Sequence, residues 1–214
     1  KNIPMTSPEV IAADTGMDAL THSIEAYVAG LRTDITDALA MKAIDMIVHN
    51  VEKAVKGDKE GRGKMHVAQC LAGMSFSNAL LGIVHSLAHK TGAEFHITHG
   101  RCNAILLPFV IQYNSKICAD RFADIDRMLK LSGNTNEELT ASLVKKVKEL
   151  NASLGIKQTY KENGVTEEHF KAKCDDISKN AVADPCTGSN PRQTDFENMK
   201  KVLEAAYYGY DINF

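Results

Sequence analysis

No run of basic residues interrupts this chain of 214 residues, whose formal net charge is -2. Nucleic-acid binding therefore has no electrostatic support. No apolar stretch is long enough for a bilayer. The longest, AILLPFVI from Ala104 to Ile111, falls far short of the ~20 residues of a spanning helix. No C-x-x-C pair occurs among the five cysteines, which lie scattered at 70, 102, 118, 174 and 186. That odd, dispersed set predicts a reduced, cytoplasmic protein and disfavours thiolate zinc of the finger type. No signal peptide is visible. There is no G-x-G-x-x-G, no P-loop, no period-2 strand pattern, no internal repeat and no low-complexity tract, so a βαβ cofactor fold is not encoded in these residues. With hydrophobic residues at 44% and charged residues at 24%, the balance is that of a globular domain rather than a disordered segment. The length allows one large domain or two small ones.

What is present is helical period, which predicts an all-α bundle. In SPEVIAADTGMDALTHSIEAYVAG, Ser7 is the expected N-cap, with Pro8 at the first helical position and Glu9 in the first turn. Gly16 is expected to break or kink the run, and Met17, Leu20, Ile24 and Tyr27 form an apolar side ending near Gly30. Leu39, Ala43, Met46, Ile47 and Val51 mark a second helix that stops at Gly57. KMHVAQCLAGMSFSNALLG continues as helix, GIVHSLAHKTG keeps the period up to Gly92, and AEFHITHG reads as an irregular link. ADRFADIDRML and TNEELTASLVKKVKELNASLG have acidic starts and basic later turns, which suits the helix dipole. TEEHFKAKCDDISKNAV starts at Thr166, ADPCTGSNPRQ is a loop, and a last helix runs from a Thr194 cap.

The chemistry-bearing residues cluster. HSLAHKTGAEFHITHG, from His85 to Gly100, holds four of the eight histidines. Asp18 and His22 lie four apart in DALTH, as do His85 and His89, and on a helix that spacing stacks side chains on one face. His96 and His99 follow in the link. Imidazole and carboxylate suit zinc, iron(II) and related ions, and bundles commonly build such cages from facing helices. Spacing alone does not say which four groups bind; stacking by itself pairs His85 with His89. The plain readings of other residues are structural. His49, His66 and His169 are ordinary surface or core histidines, and Cys70, Cys102, Cys118 and Cys174 are buried or inert thiols. Met74 and Phe76 read as core, and KKVKEL as a solvated face. The loop with Cys186, Asn190 and Arg192 is either a plain turn or the lining of a cleft.

GMDALTHSIEAYV, AGMSFSNALLGIVHSLAHKTGAEFHITHGRCNAILLP and DPCTGSNPR closely resemble the iron-dependent (group III) alcohol dehydrogenases, and the likeness covers essentially the whole chain. This family includes butanol and 1,3-propanediol dehydrogenases and the alcohol-dehydrogenase half of bifunctional aldehyde-alcohol dehydrogenases. It belongs to the dehydroquinate synthase-like superfamily. The resemblance implies two domains in the parent protein: an N-terminal dinucleotide-binding domain with a Gly-Gly-Gly-Ser segment, and an all-helical C-terminal domain that holds the metal. Residues 1–214 match only the second. It implies Asp18, His22, His85 and His99 as metal ligands, with His89 beside the site on the proton path. Phe76 falls at a position near nicotinamide and substrate, and Cys186 in the loop facing the cleft. It further implies interconversion of primary alcohols and aldehydes with NAD or NADP, iron(II) as working ion with zinc possible in the purified protein, and a homo-oligomer. These residues alone are expected to bind metal without turnover.

Three rivals compete. A metal-dependent hydrolase needs a second metal or a general base, with extra carboxylates such as Glu25 or Glu94 near the cage. A helical interaction module needs only incidental histidines. A glycerol-dehydrogenase-like enzyme of the same superfamily usually uses one Asp and two His on zinc, and His22 four residues after Asp18 favours the alcohol-dehydrogenase branch. The chain starts at Lys1, and KNIPMTSPEV does not resemble the clipped end of a signal peptide. A longer parent protein is the expectation, which the gene upstream of Lys1 would test.

Overall fold

The computed structural model describes residues 6–214; the reading of Lys1 and its neighbours lies outside that range. Eight α-helices follow one another, α1 (Glu9–Val28), α2 (Asp34–Val55), α3 (Lys59–Ala79), α4 (Ile83–Phe95), α5 (His99–Leu129), α6 (Asn136–Ser153), α7 (Glu167–Val182) and α8 (Phe196–Tyr208), with a 3-10 turn at Pro185–Ser189. No strand is present among the described residues, so the bundle is all-α as the periodicity predicts. Helix α1 packs against α2, α3 and α5; α4 lies between α5 and α7, and α8 closes on α7 and α5. One main core joins the helices and includes the fully buried Tyr113, Phe122, Tyr160, Phe170 and Tyr207, and a small separate cluster of Ala26, Ala29 and Ala79 lies at the ends of α1 and α3. Among the described residues no single helix is long and apolar enough to cross a membrane. Only α3 and α4 together meet that length and composition, and they turn by 107°.

Local chemistry explains most boundaries. Thr33 and Thr36 form a reciprocal capping box at α2, Asp58 caps α3, and Thr135 and Thr166 cap α6 and α7. Four expectations shift. Asp195, not Thr194, caps α8, accepting from Asn198 N at 2.8 Å. At α1, Pro8 occupies the cap position with no side-chain cap, and Ser7 instead offers its carbonyl to Arg62 at 2.9 Å. Gly16 does not break α1. A Cβ there would come within 2.7 Å of Val51 Cγ2, so this glycine lets α2 press close against an unbroken helix. Helix α4 also outruns Gly92 and ends at Phe95, with His96 in the left-handed region (φ 53°), so the link to α5 is only residues 96–98.

Pro108 sits inside α5, where its ring nitrogen cannot donate to the carbonyl of Ala104. Asn151 on α6 takes that place, donating to Ala104 O at 2.7 Å. The AILLPFVI run therefore stays helical and buried through a partner from another element, and α5 kinks only later, at Cys118 (φ -134°, ψ 40°).

Candidate metal centre

Three helices meet where α4 and α5 begin. Helix α1 supplies Asp18 and His22, one turn apart; α4 supplies His85 and His89; α5 opens with His99 and carries Asn103 a turn later. Their approach depends on Gly100. A Cβ at that position would overlap the Asp14 carbonyl and come within 3.3 Å of Asp18 Cβ, so only glycine lets α5 begin against α1. Asp14 fastens the contact, accepting from Thr98 Oγ1 at 2.6 Å and from Arg101 Nε and a terminal guanidinium nitrogen at 3.1 and 3.0 Å.

Asp18 Oδ1 faces three imidazoles, with His99 Nε2 at 3.6 Å, His85 Nε2 at 3.7 Å and His22 Nε2 at 4.0 Å. Ligand atoms of Asp18, His22 and His85 lie within 4.8 Å of one another, and His99 joins them through Asp18. The rings of His22 and His85 stack at 4.6 Å, and Phe76 stacks on the other side of His22 at 4.3 Å. The amide of Asn103 is the donor between them: Nδ2 reaches Asp18 Oδ1 at 2.5 Å, His99 Nε2 at 3.0 Å and His85 Nε2 at 3.1 Å. An amide nitrogen has two hydrogens. Counted with neutral imidazoles, three acceptors share them, His22 Nε2 adds a fourth lone pair nearby, and the buried Asn103 Oδ1 has no partner among the described residues. This surplus of convergent lone pairs on buried nitrogen and oxygen is the donor set that a divalent cation fits.

The charges agree in part. Burial pushes the Asp18 carboxyl upward, but the hydrogen bond with His85 and the other imidazoles outweigh it, and its pKa ends below the usual carboxylate value. Burial holds His22 down to about 4, and His99 is lowered for the same reason, so both are neutral at pH 7. His85 runs the other way. Despite burial, Glu25 and Asp18 raise it to about 9, so a cation at its Nε2 must displace a proton.

His89 does not share the point on which His85 converges. Its Nδ1 bonds Asp184 Oδ2 at 3.1 Å, and its ring lies edge-on to His85 at 6.1 Å and stacked on His99 at 5.4 Å. The His85–His89 pairing that helix spacing alone favours is therefore corrected: the two rings serve different partners. Lys90 Nζ also reaches Asp184 Oδ2 at 2.9 Å, so that carboxylate already holds a cation. Cys186 stands beside His89 and Asp184. Burial and Asp184 push its thiol up to about 12, which excludes a thiolate nucleophile at neutral pH. Asn190 and Arg192 do not line a cleft. Asn190 is buried between Asn114 and the start of α4, and Arg192 lies over the Tyr113 ring, donating to the carbonyls of Tyr113 and Phe214. His96 is exposed at the end of α4.

Residues 12–207 match the model described as "Fe-containing alcohol dehydrogenase family, C-terminal". The chain belongs to the iron-containing alcohol dehydrogenase family. It is 58% identical over 209 residues to an NADPH-dependent butanol dehydrogenase of Clostridium saccharobutylicum, which covers 98% of this chain and 54% of the relative. It is 44% identical over 221 residues to an aldehyde-alcohol dehydrogenase of Streptococcus pneumoniae, covering 96% of this chain and 25% of that one. The fold superposes on an iron-containing alcohol dehydrogenase from Thermococcus thioreducens with a TM-score of 0.89 at 33% identity, over 98% of this chain and 53% of that one. The chain thus spans about half the length of the butanol dehydrogenase and a quarter of the aldehyde-alcohol dehydrogenase.

Within this member of the family, two rivals lose their footing. Both oxygens of Glu25 are engaged, by His85 Nδ1 at 2.5 Å and Val84 N at 2.8 Å, and Glu94 pairs with His169 and Lys173. Neither is a free general base for a hydrolase. Nor are His22, His85 and His99 incidental, since three helices aim them at one carboxylate oxygen. Other structural readings need correction: Met74 is exposed, and Phe76 is half-buried against His22 rather than in the main core. Sequence reasoning missed Asn103, Asp184 and Gly100 altogether. Asn103 lies one helical turn after His99, but an asparagine inside a helix has no signal of its own in the sequence.

Proposed function

We propose that these residues are the metal-holding half of an NAD(P)-linked alcohol dehydrogenase, with Asp18, His22, His85 and His99 as ligands of iron(II). The observation that carries this is the single oxygen of Asp18 facing three imidazole nitrogens across 3.6 to 4.0 Å. A bound divalent ion supplies polarisation of the substrate oxygen, in either direction of alcohol and aldehyde interconversion. Zinc fits the same donors, so availability decides which ion is found.

The chain's own residues supply the rest. Asp184 holds Nδ1 of His89, which leaves Nε2 to pass a proton between the site and solvent, and the ring is 40% exposed for that exchange. Phe76 presents an apolar flank beside His22, suited to a nicotinamide ring. Cys186, held as a neutral thiol, lines the cleft next to His89. Hydride chemistry belongs to the nicotinamide, and its binding to a separate N-terminal domain of the parent chain. The described residues contain no βαβ unit to hold it, and the likeness to longer relatives supports that division. The resemblance to a butanol dehydrogenase makes short primary alcohols the first substrates to try. A cytoplasmic homo-oligomer is the assembly in which we expect it.

The test uses the full parent chain, loaded anaerobically with iron(II) or with zinc and assayed for NAD(P)H-dependent reduction of butanal. Iron-dependent turnover is expected, with no appreciable turnover from residues 1–214 alone. Metal-independent turnover, higher activity of the iron-free zinc form, or robust turnover from these residues alone would contradict the reading.

A further inference from the structure

Glu25 lies on α1 one turn beyond His22, and it is 3% exposed. Its carboxylate receives two donors from the start of α4. Val84 N–H donates to Oε1 at 2.8 Å, and His85 Nδ1 lies 2.5 Å from Oε2. A carboxylate only accepts, so the hydrogen of that second bond sits on Nδ1. Nδ1 therefore keeps its hydrogen, and when a cation displaces the second proton of His85 it is the Nε2 lone pair that is freed, facing Asp18 and Asn103. The backbone is shaped to admit this group. A Cβ on Gly82 would stand 2.8 Å from Glu25 Oε1 and 2.8 Å from Asn190 Oδ1. Gly82 has no side chain to cap α4, and the helix start is capped from outside, by Glu25 at Val84 and by Asn190 Oδ1 at Ile83 N, 3.3 Å away.

We infer that Glu25 is a positioning residue for the metal centre: it fixes which nitrogen of His85 carries the proton and so keeps Nε2 available as a ligand. The inference rests on the ligand reading above and deepens it. Donor counting gives it force. Two donors face two carboxylate oxygens, and glutamine offers only one oxygen and an NH2 group. In Glu25→Gln, one arrangement sets the NH2 group against the Val84 N–H and orphans a buried donor. The other leaves no buried group unpaired and is therefore the one adopted: it sets the NH2 group against His85 Nδ1, which must then accept, so the hydrogen moves to Nε2 and the ligand lone pair is lost. Carboxylate partners of this kind orient metal-bound histidines generally, and their loss typically costs ~10- to 100-fold in metal affinity.

The test compares wild type, Glu25→Gln and Asn190→Ala. Asn190→Ala uncaps the same helix without touching His85, and so separates capping from positioning. Two quantities are read: cobalt(II) affinity, and the downfield proton resonance of His85 Nδ1–H in the metal-free chain, assigned by its absence from His85→Ala. Glu25→Gln should lose the resonance and bind cobalt(II) about 10- to 100-fold more weakly, while Asn190→Ala keeps both the resonance and the affinity. Wild-type affinity in Glu25→Gln, a retained resonance, or an equal loss in Asn190→Ala would overturn the inference and leave the ligand reading standing. Failure of wild type to bind cobalt(II) at all would overturn the ligand reading beneath it, and this inference with it.

Discussion

Helices α1 and α8 are both pressed into the core, and they are built on opposite plans. Helix α8 buries one face, through Met199, Val202, Leu203, Ala206 and Tyr207, and has a side-chain cap at Asp195 and a left-handed Gly209 at its end. Its sequence states its structure. Helix α1 is buried nearly all round, has no side-chain cap, and carries Asp14, Asp18, His22 and Glu25 at intervals of three or four residues. Each of these groups meets a partner far along the chain: Asp14 meets Thr98 and Arg101, Asp18 meets Asn103, Glu25 meets His85, and the His22 ring stacks between Phe76 and His85. Buried polar groups are tolerated where such partners exist and are costly where they do not. The lesson is that α8 is held by area, whereas α1 is held by specific bonds that also assemble the site.

Substitutions sharpen that contrast. The largest effect is expected at Gly100, where a methyl group must displace the Asp14 backbone. Gly100→Ala should destabilise by about 3 kcal/mol, the upper range for overpacking, and should weaken metal binding by parting His99 from Asp18. Gly188→Ala, with open space around its Cβ, should unfold in urea like wild type.

Asp126 on α5 is the counterexample to α1's carboxylates. It is fully buried, and neither oxygen has a hydrogen-bond partner among the described residues. Burial, only partly opposed by Arg127, pushes its pKa up to about 6. The folded chain then holds this proton more tightly than the unfolded chain, so stability falls as pH rises from about 4 to about 6 and stays reduced above that. Asp126→Asn should therefore gain about 2 kcal/mol at pH 8 and nothing at pH 4, read as midpoints of thermal unfolding. An equal gain at both would show that charge is not the cause. The smallest effect concerns the helix ends. Asp195→Ala should cost α8 about 1 kcal/mol, while Ser7→Ala leaves α1 unchanged because only the Ser7 backbone carbonyl is used.

The same contrast explains what was legible in the sequence. Helices α2, α6, α7 and α8 follow from apolar period, acidic first turns and, at Thr166, a capping residue, which are local signals. Asp18 and His22 one turn apart could be read as a ligand pair. His85 and His89 have the same spacing and mislead, because Glu25 and Asp184, 60 and 95 residues away, turn the rings to different partners. Gly16 and Gly92 look like helix breaks, yet the chain is helical through both, held by neighbours that the local sequence does not show. Asn103 was invisible for another reason: an asparagine inside a helix carries no signal until three acceptors are seen around it.

The most direct test of the central claim is metal content after anaerobic incubation with iron(II) or zinc and removal of excess, measured by elemental analysis. The chain should retain about one ion, and an Asp18→Ala, His85→Ala double variant should retain none while staying folded. No ion on the chain, or the same content in the variant, would contradict the metal centre described at the meeting of α1, α4 and α5.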